Sequence, residues 1–253
     1  MVNDPELDLR RIIGDLKEES STCYVRREKV KLYDVSPAEF LSFARQDLEE
    51  DSERGRINAI RNAKTAIECR ADEILTFSNL KSFSSRSRWG LPYKLLVLRK
   101  LGLSAPDVLR DYITSKRNLI EHEYVRPSRE ETRHLADITE LFLSATDKYV
   151  EEGYISSATI TIRHEVERRK ISARLDRGYG FDIEYKLNFD LKNGVLTVAT
   201  QPFEWWTEYH KITGKIEEKR KPPGEPDVRN ITISDCKEAD VTELMKLIVD
   251  KAD

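Results

Sequence analysis

Apolar residues recurring every three to four positions dominate the middle of the chain. Ser36-Pro37-Ala38-Glu39 places a capping serine, a first-turn proline and a glutamate three residues after the cap. That is a capping box opening a helix. Phe40, Leu41, Phe43, Ala44 and Leu48 then keep helical spacing. A second helix is predicted from about Arg56 to Phe77, with Ile57, Ile60, Ala63, Ile67, Ala71, Ile74 and Leu75 on its apolar side. Residues 78–90 read as a loop. A third helix runs from Pro92 to Leu101 and ends at Gly102. Ser104 caps a fourth, which extends through Tyr124 until Pro127 breaks it. Ser128-x-x-Glu131 is another capping box. The helix it opens runs to about Glu152, with Leu135, Ile138, Leu141, Phe142 and Tyr149 on its apolar side and Gly153 at its end.

The period then changes from about 3.6 to two. Phe181, Ile183, Tyr185, Leu187 and Phe189 alternate with polar residues, as in a half-buried strand. Asn193-Gly194 signals a hairpin, with Val195–Thr200 returning. Residues 157–163, 171–175 and 229–234 are further strand candidates. KIEEKRKPPGEPD reads as a charged, proline-rich loop, and Asp240–Lys251 as a closing amphipathic helix. Leu7, Ile12, Ile13 and Leu16 suggest a short helix, followed by a strand-like stretch around CYVRREKVKLY. The reading is an α+β chain: residues 1–35 an arm, 36–152 an all-α bundle, and 153–253 an antiparallel β module with a terminal helix.

Composition narrows the classes. Charged residues make up 35% and hydrophobic residues 39% of 253, enough for a core and against wholesale disorder. No apolar run approaches the length of a membrane span, and the polar N-terminus lacks a secretory apolar region. Cys23, Cys69 and Cys236 are scattered and odd in number, which argues against a disulfide framework and fits a reducing cytoplasm. Residues 1–150 hold 26 basic and 26 acidic side chains, and the remainder 17 and 20, so any nucleic-acid contact must be local.

The segment richest in chemistry is SKRNLIEHEYV. On a helical wheel, Val108, Leu109, Tyr112, Ile113, Leu119 and Ile120 fill an apolar arc of roughly 140°. Arg117 and His122 flank the polar face, each roughly 110° from the apolar centre. Asn118 and Glu121 lie between them, and Asn118 and His122 are i,i+4 neighbours. One face therefore offers a permanent cation, an amide and an imidazole that titrates near neutrality. Those groups suit metal-independent phosphoryl chemistry on RNA: His moves a proton, and Arg stabilises charge growing on phosphate. No carboxylate cluster with metal-ligand spacing is visible, and no nucleotide-cofactor motif. Neither a metal nor a cofactor is expected.

RNLIEHEY resembles the Arg-x4-His motif of the HEPN superfamily in its Arg-Asn-x3-His-x-Tyr form, and the helix order over about residues 36–152 is similar to that family's. With 24 Arg and 4 His, about 0.4 Arg-x4-His pairs arise by chance; the added Asn and Tyr lower this to roughly 5 in 10,000. The resemblance implies a small bundle that dimerises so that two motif helices form a composite cleft. It implies endoribonuclease activity of the kind found in toxin–antitoxin, anti-phage and RNA-processing systems, with Arg117 and His122 as the catalytic pair and Asn118 as their polar neighbour. Tyr124 matches a position that partner nucleotidyltransferases modify in some toxins, which makes such an enzyme, or another antitoxin, the implied partner. The alternative is a non-catalytic HEPN module that dimerises while the β module binds a ligand or protein. In that reading Arg117 pairs with Glu121 and His122 caps or pairs locally.

Three weaker features stand beside the motif. Arg86, Arg88 and Trp89 form a basic-aromatic loop that could hold RNA by charge and stacking, against a plain solvated loop. Arg163, Arg168, Arg169, Lys170 and Arg174 cluster near a strand connection, a solvated face by default. Trp205-Trp206 with Tyr209 and His210 could be a binding platform, against β-module core. His134 and His164 have no convincing partner in the sequence.

Overall fold

The computed structural model describes residues 5–17, 21–103, 126–172, 175–190, 192–210, 215–220 and 225–252. In chain order these form α1 (Pro5–Leu16), β1 (Ser21–Glu28), α2 (Pro37–Glu49), α3 (Glu53–Phe77), α4 (Lys81–Arg86), α5 (Leu91–Lys100) and α6 (Arg129–Glu151). There follow β2 (Tyr154–Ser172), β3 (Leu175–Asp190), β4 (Val195–His210), β5 (Lys215–Arg220), β6 (Asp227–Thr232), a 3-10 turn (Ile233–Asp235) and α7 (Glu238–Ala252). The fold is α+β, with a run of helices before a largely antiparallel sheet. The chain divides into two compact units, Glu28–Tyr154 and the remainder.

The helical unit is built around α3, which packs against α2, α5 and α6. Ala59, Ala63, Ala66 and Ala71 are at most 1% exposed, and their small side chains let the neighbouring helices approach closely. Ile60, Ile67, Ile74 and Leu75 fill the space between. Both capping boxes form. Ser36 Oγ accepts from the Glu39 N–H at 3.2 Å, and the Glu39 carboxylate accepts from the Ser36 N–H at 2.8 Å. Ser128 and Glu131 repeat the exchange at 3.2 and 3.1 Å. Gly102 takes φ of +90°, and the next N–H, of Leu103, returns to the Leu98 carbonyl at 3.1 Å, which closes α5.

Two expectations for this unit change. Leu141 is 70% exposed. The buried stripe of α6 is Thr132, Leu135, Ala136, Thr139, Phe142, Leu143 and Thr146. Its threonines enter the core because each hydroxyl donates to the carbonyl four residues earlier, at 2.7–2.8 Å. Residues 78–90, read as a loop, contain the short helix α4, because Leu80, Phe83 and Ser84 turn into the core.

In the second unit the N-terminal segment is no separate arm. The unit boundary falls after Arg27, and α1 and β1 belong with residues 155–253. Leu9, Ile12, Ile13 and Leu16 of α1 are buried, and α1 packs against α7, whose Val241, Leu244, Met245 and Ile248 are buried. The sheet runs β1-β2-β3-β4-β5, with β6 also on β4. β6 pairs Val195–Thr200 and β5 pairs Trp205–His210, so the two short strands share β4 in tandem. The segment KIEEKR, part of the expected loop, is thus a strand. Its charges and missing alternation are typical of a sheet edge.

The expected alternation appears in Tyr185, Leu187 and Phe189, all buried. The register sets them beside Ile160, Ala158, Val198 and Leu196, also buried. The Asn193-Gly194 hairpin forms, with Asp190 opposite Val195 and Gly194 at φ of +64°. The Asp190 carboxylate accepts from the backbone N–H groups of Lys192 and Asn193 and from Asn193 Nδ2.

Candidate functional site

Arg117, Asn118, His122 and Tyr124, with the fourth helix expected to carry them, lie outside the described residues. The described chain on either side belongs to the helical unit. Leu101 and Leu103 are buried at the end of α5. On the far side, Arg126 Nε lies 2.5 Å from Glu53 Oε1, and the Pro127 carbonyl accepts from Arg56 Nε at 3.0 Å. Arg129 Nη1 reaches Asp51 Oδ2 at 3.0 Å. Asp51, at φ of +47°, thus turns the chain into the start of α3 and anchors the residues that open α6. These ion pairs are largely exposed and weak individually, so the Pro127 carbonyl bond and the Ser128 cap carry most of the positioning.

The expected RNA contacts are described. Ser85, Arg86, Ser87 and Arg88 are all exposed at the end of α4. The Arg86 guanidinium stands over the Phe83 ring, 5.5 Å from its centroid. Arg88 takes φ of +48°. Trp89 is half-buried and packs edge-on against Tyr93, their centroids 4.9 Å apart. Lys100 Nζ lies 5.9 Å from the centre of the Tyr93 ring. Tyr93 and Lys100 are members of this group that the sequence reading did not single out. Their spacing of seven on α5 places them on one helical face and was available as a signal.

A second feature missed from sequence is a charge network across α3. Arg70 is 6% exposed. Its Nη1 donates to the Leu143 carbonyl, Thr146 Oγ1 and Asp147 Oδ1 at 3.3, 3.3 and 2.8 Å, and its Nε pairs with Glu73 Oε2 at 3.1 Å. Burial raises the Glu73 carboxyl above its ordinary value. Asp72 bridges Lys81 and Lys94 at 2.8 and 2.9 Å, tying α4 and α5 to α3. These groups hold helices together. Burial pushes the Cys69 thiol to about 11 and the Tyr33 phenol to about 12, so both stay protonated near neutrality.

In the sheet unit, Arg163 and Asp182 face each other across β2 and β3. Asp182 is buried, and Arg163 Nε and Nη2 donate to its oxygens at 3.3 and 3.5 Å. Arg168, Arg169 and Lys170 continue along β2, while Arg174 lies outside the described residues. Trp205, Trp206, Tyr209 and His210 lie on β4, paired on one side with β3 and on the other with β5. Tyr185 donates its hydroxyl to Asp15, and burial raises the phenol well above its ordinary range. Beside this pair is a hollow of about 50 Å³ lined by Arg11, Ile12, Val198, Thr200, Asp227 and Arg229. His134 is exposed, and His164 stands opposite Phe181 on β2. Among the described residues no group of three or more His, Cys, Asp or Glu gathers as a cation site, and no helix is long and apolar enough to cross a membrane. Comparisons with protein-family models, curated proteins and solved structures find no match to this chain.

Proposed function

We propose that this chain is a cytoplasmic, metal-independent endoribonuclease of HEPN type, acting as a homodimer in a toxin or anti-phage role. The observation that carries the reading is the sequence Arg117-Asn118-x3-His122-x-Tyr124. The helical segments before and after it, α5 and α6, support it as context.

In this mechanism an RNA 2′-hydroxyl attacks the adjacent phosphorus and the 5′-oxygen leaves. His122 takes the hydroxyl proton or supplies one to the leaving oxygen. Arg117, from the same protomer or its partner, stabilises the charge on the pentacovalent phosphorus. Asn118 orients the phosphate or the imidazole, and Tyr124 is the position open to a modifying antitoxin. The products carry 2′,3′-cyclic phosphate and 5′-hydroxyl ends, and DNA survives because it lacks the nucleophile.

Pure protein incubated with RNA in EDTA tests this. His122→Ala and Arg117→Ala should each lower cleavage by about 10²–10⁴-fold with the fold intact. Cleavage that persists in His122→Ala, or that stops in EDTA, sinks the mechanism. A second reading draws on Glu121 and Glu123, whose charges flank His122 and repel a phosphate backbone. There the helical unit dimerises without catalysis and the sheet unit binds a ligand or protein. Intact RNA alongside a dimer in light scattering would favour it.

A further inference from the structure

Between Glu73 and Asp107 the sequence contains no acidic residue, the longest such run in the chain, yet it contains Lys81, Arg86, Arg88, Lys94, Arg99 and Lys100. The structure sorts these six cations. Lys81 and Lys94 turn inward to Asp72. Arg86, Arg88, Arg99 and Lys100 are exposed. The exposed face of α5 is Pro92, Tyr93, Leu96, Arg99 and Lys100, while Leu95, Val97 and Leu98 turn into the core. Trp89 lies against Tyr93 at the start of that face. A continuous strip therefore runs from Arg88 past two aromatic rings to Lys100, roughly 15 Å along the helix.

We infer that this α4–α5 face is a docking surface for single-stranded RNA, separate in the sequence from the motif. The charge is complementary: a local excess of cations, in a chain of net charge −3, has no acid within its own segment. Tyr93 is 38% exposed and braced by Trp89, which gives a base a pre-set ring to stack on. Bases of a duplex are already stacked on one another, so the rings select single strands. The inference rests on the proposed endoribonuclease reading only for the choice of RNA as the polymer. It assigns the face to holding the strand rather than cutting it.

The test is fluorescence anisotropy of a labelled single-stranded oligouridine with the full chain carrying His122→Ala, in EDTA, across a salt series. Adding Arg99→Glu and Lys100→Glu should weaken binding at least about tenfold and flatten the salt dependence by about one to two phosphate contacts. Tyr93→Ala should lose about 5- to 100-fold for the single strand, while Tyr93→Phe keeps most of the affinity. Thermal melting of each variant checks that it remains folded at the temperature of the binding measurement. Unchanged affinity in the charge-reversed protein, equal binding of duplex RNA, or equal loss in Tyr93→Phe and Tyr93→Ala overturns the inference. So does preferential binding of DNA or of anionic vesicles. Cleavage by the unaltered chain is scored separately. Binding without cleavage sinks the catalytic proposal alone, and cleavage with unchanged affinity in the charge-reversed variant sinks this one alone.

Discussion

The two units reach stability by opposite routes. The helical unit settles its helix ends locally: Ser36 with Glu39, Ser128 with Glu131, and Gly102 after α5. The sheet unit is local through β2–β5, which pair in chain order around the Asp190 turn, but it is completed from far along the chain. Its edge strand β1 and packing helix α1 come from the first 28 residues, its other strands from beyond residue 153, and the paired α1 and α7 stand at opposite ends of the chain. A sheet completed across the whole sequence makes each contributing segment indispensable.

Removing residues 1–27 should break this contrast most severely. It strips Leu9, Ile12, Ile13 and Leu16, each at most 5% exposed, from the sheet unit. Four buried aliphatic side chains amount to about 6–12 kcal/mol, the scale of a whole domain's stability. Amide signals of Ala158, Ile160 and Leu187 should collapse to random-coil positions, and their persistence would refute the dependence. In the helical unit the largest single effect should come from Arg70→Ala. It leaves Glu73 and Asp147 without their shared cation at a cost of about 3 kcal/mol. Glu73 is already raised by burial, so its neutral form is the one the fold favours. Stability relative to the unfolded chain then falls as pH rises past the ordinary carboxylate value, and losing Arg70 widens that fall. Melts at acidic and neutral pH should show a larger deficit at neutral pH, and an equal deficit would count against the network.

Smaller changes sharpen the comparison. Ser36→Ala and Ser128→Ala should each cost about 1 kcal/mol, read by denaturant titration of helical signals. A loss confined to sheet signals would contradict the local account. Smallest is the Asp190 turn. Bonds from Asn193, side chain first, lower its carboxyl below the usual aspartate value. Their contribution is present above that value and disappears as pH falls through the depressed one. The amide shifts of Lys192 and Asn193 should titrate with a midpoint below 3.8, the ordinary value, and a midpoint at 3.8 would remove the turn's role.

What could be read from sequence follows the same division. Capping boxes, the alanine-rich helix and the Asn-Gly turn are local chemistry, and all appear where expected. β5 could not be read, because Lys215–Arg220 becomes a strand only through backbone pairing with β4. Nor could the place of α1 and β1, which depends on partners at the other end of the chain. Leu141 shows that apolar character is not burial: it faces solvent, while three threonines have the helical phase of the buried stripe. Asp182 and Arg70 are buried charges that a polar–apolar pattern assigns to the surface, and only their partners show otherwise. Of the candidate site, Arg86, Arg88 and Trp89 were legible as a group. Tyr93 and Lys100 carried a signal of their own, a spacing of seven on one helical face, but in the next element, where only the ring contact with Trp89 joins them to the group.

Gly153 carries a consequence for the order of folding. At φ of +85°, a Cβ on it would sit 2.2 Å from the Glu28 carbonyl oxygen, so the chain's departure into the helices and its return touch backbone to backbone. Tyr154 adds a hydroxyl to Glu28 Oε2 at 3.3 Å. For the sheet, β1 ends at Glu28 and β2 begins at Tyr154, and the two strands are hydrogen-bonded neighbours. All the intervening residues thus serve as one very large turn. An unfolded turn of that length would charge its closure entropy against strand pairing. A folded one has already met it, so β1 should find its register only after the helices have assembled.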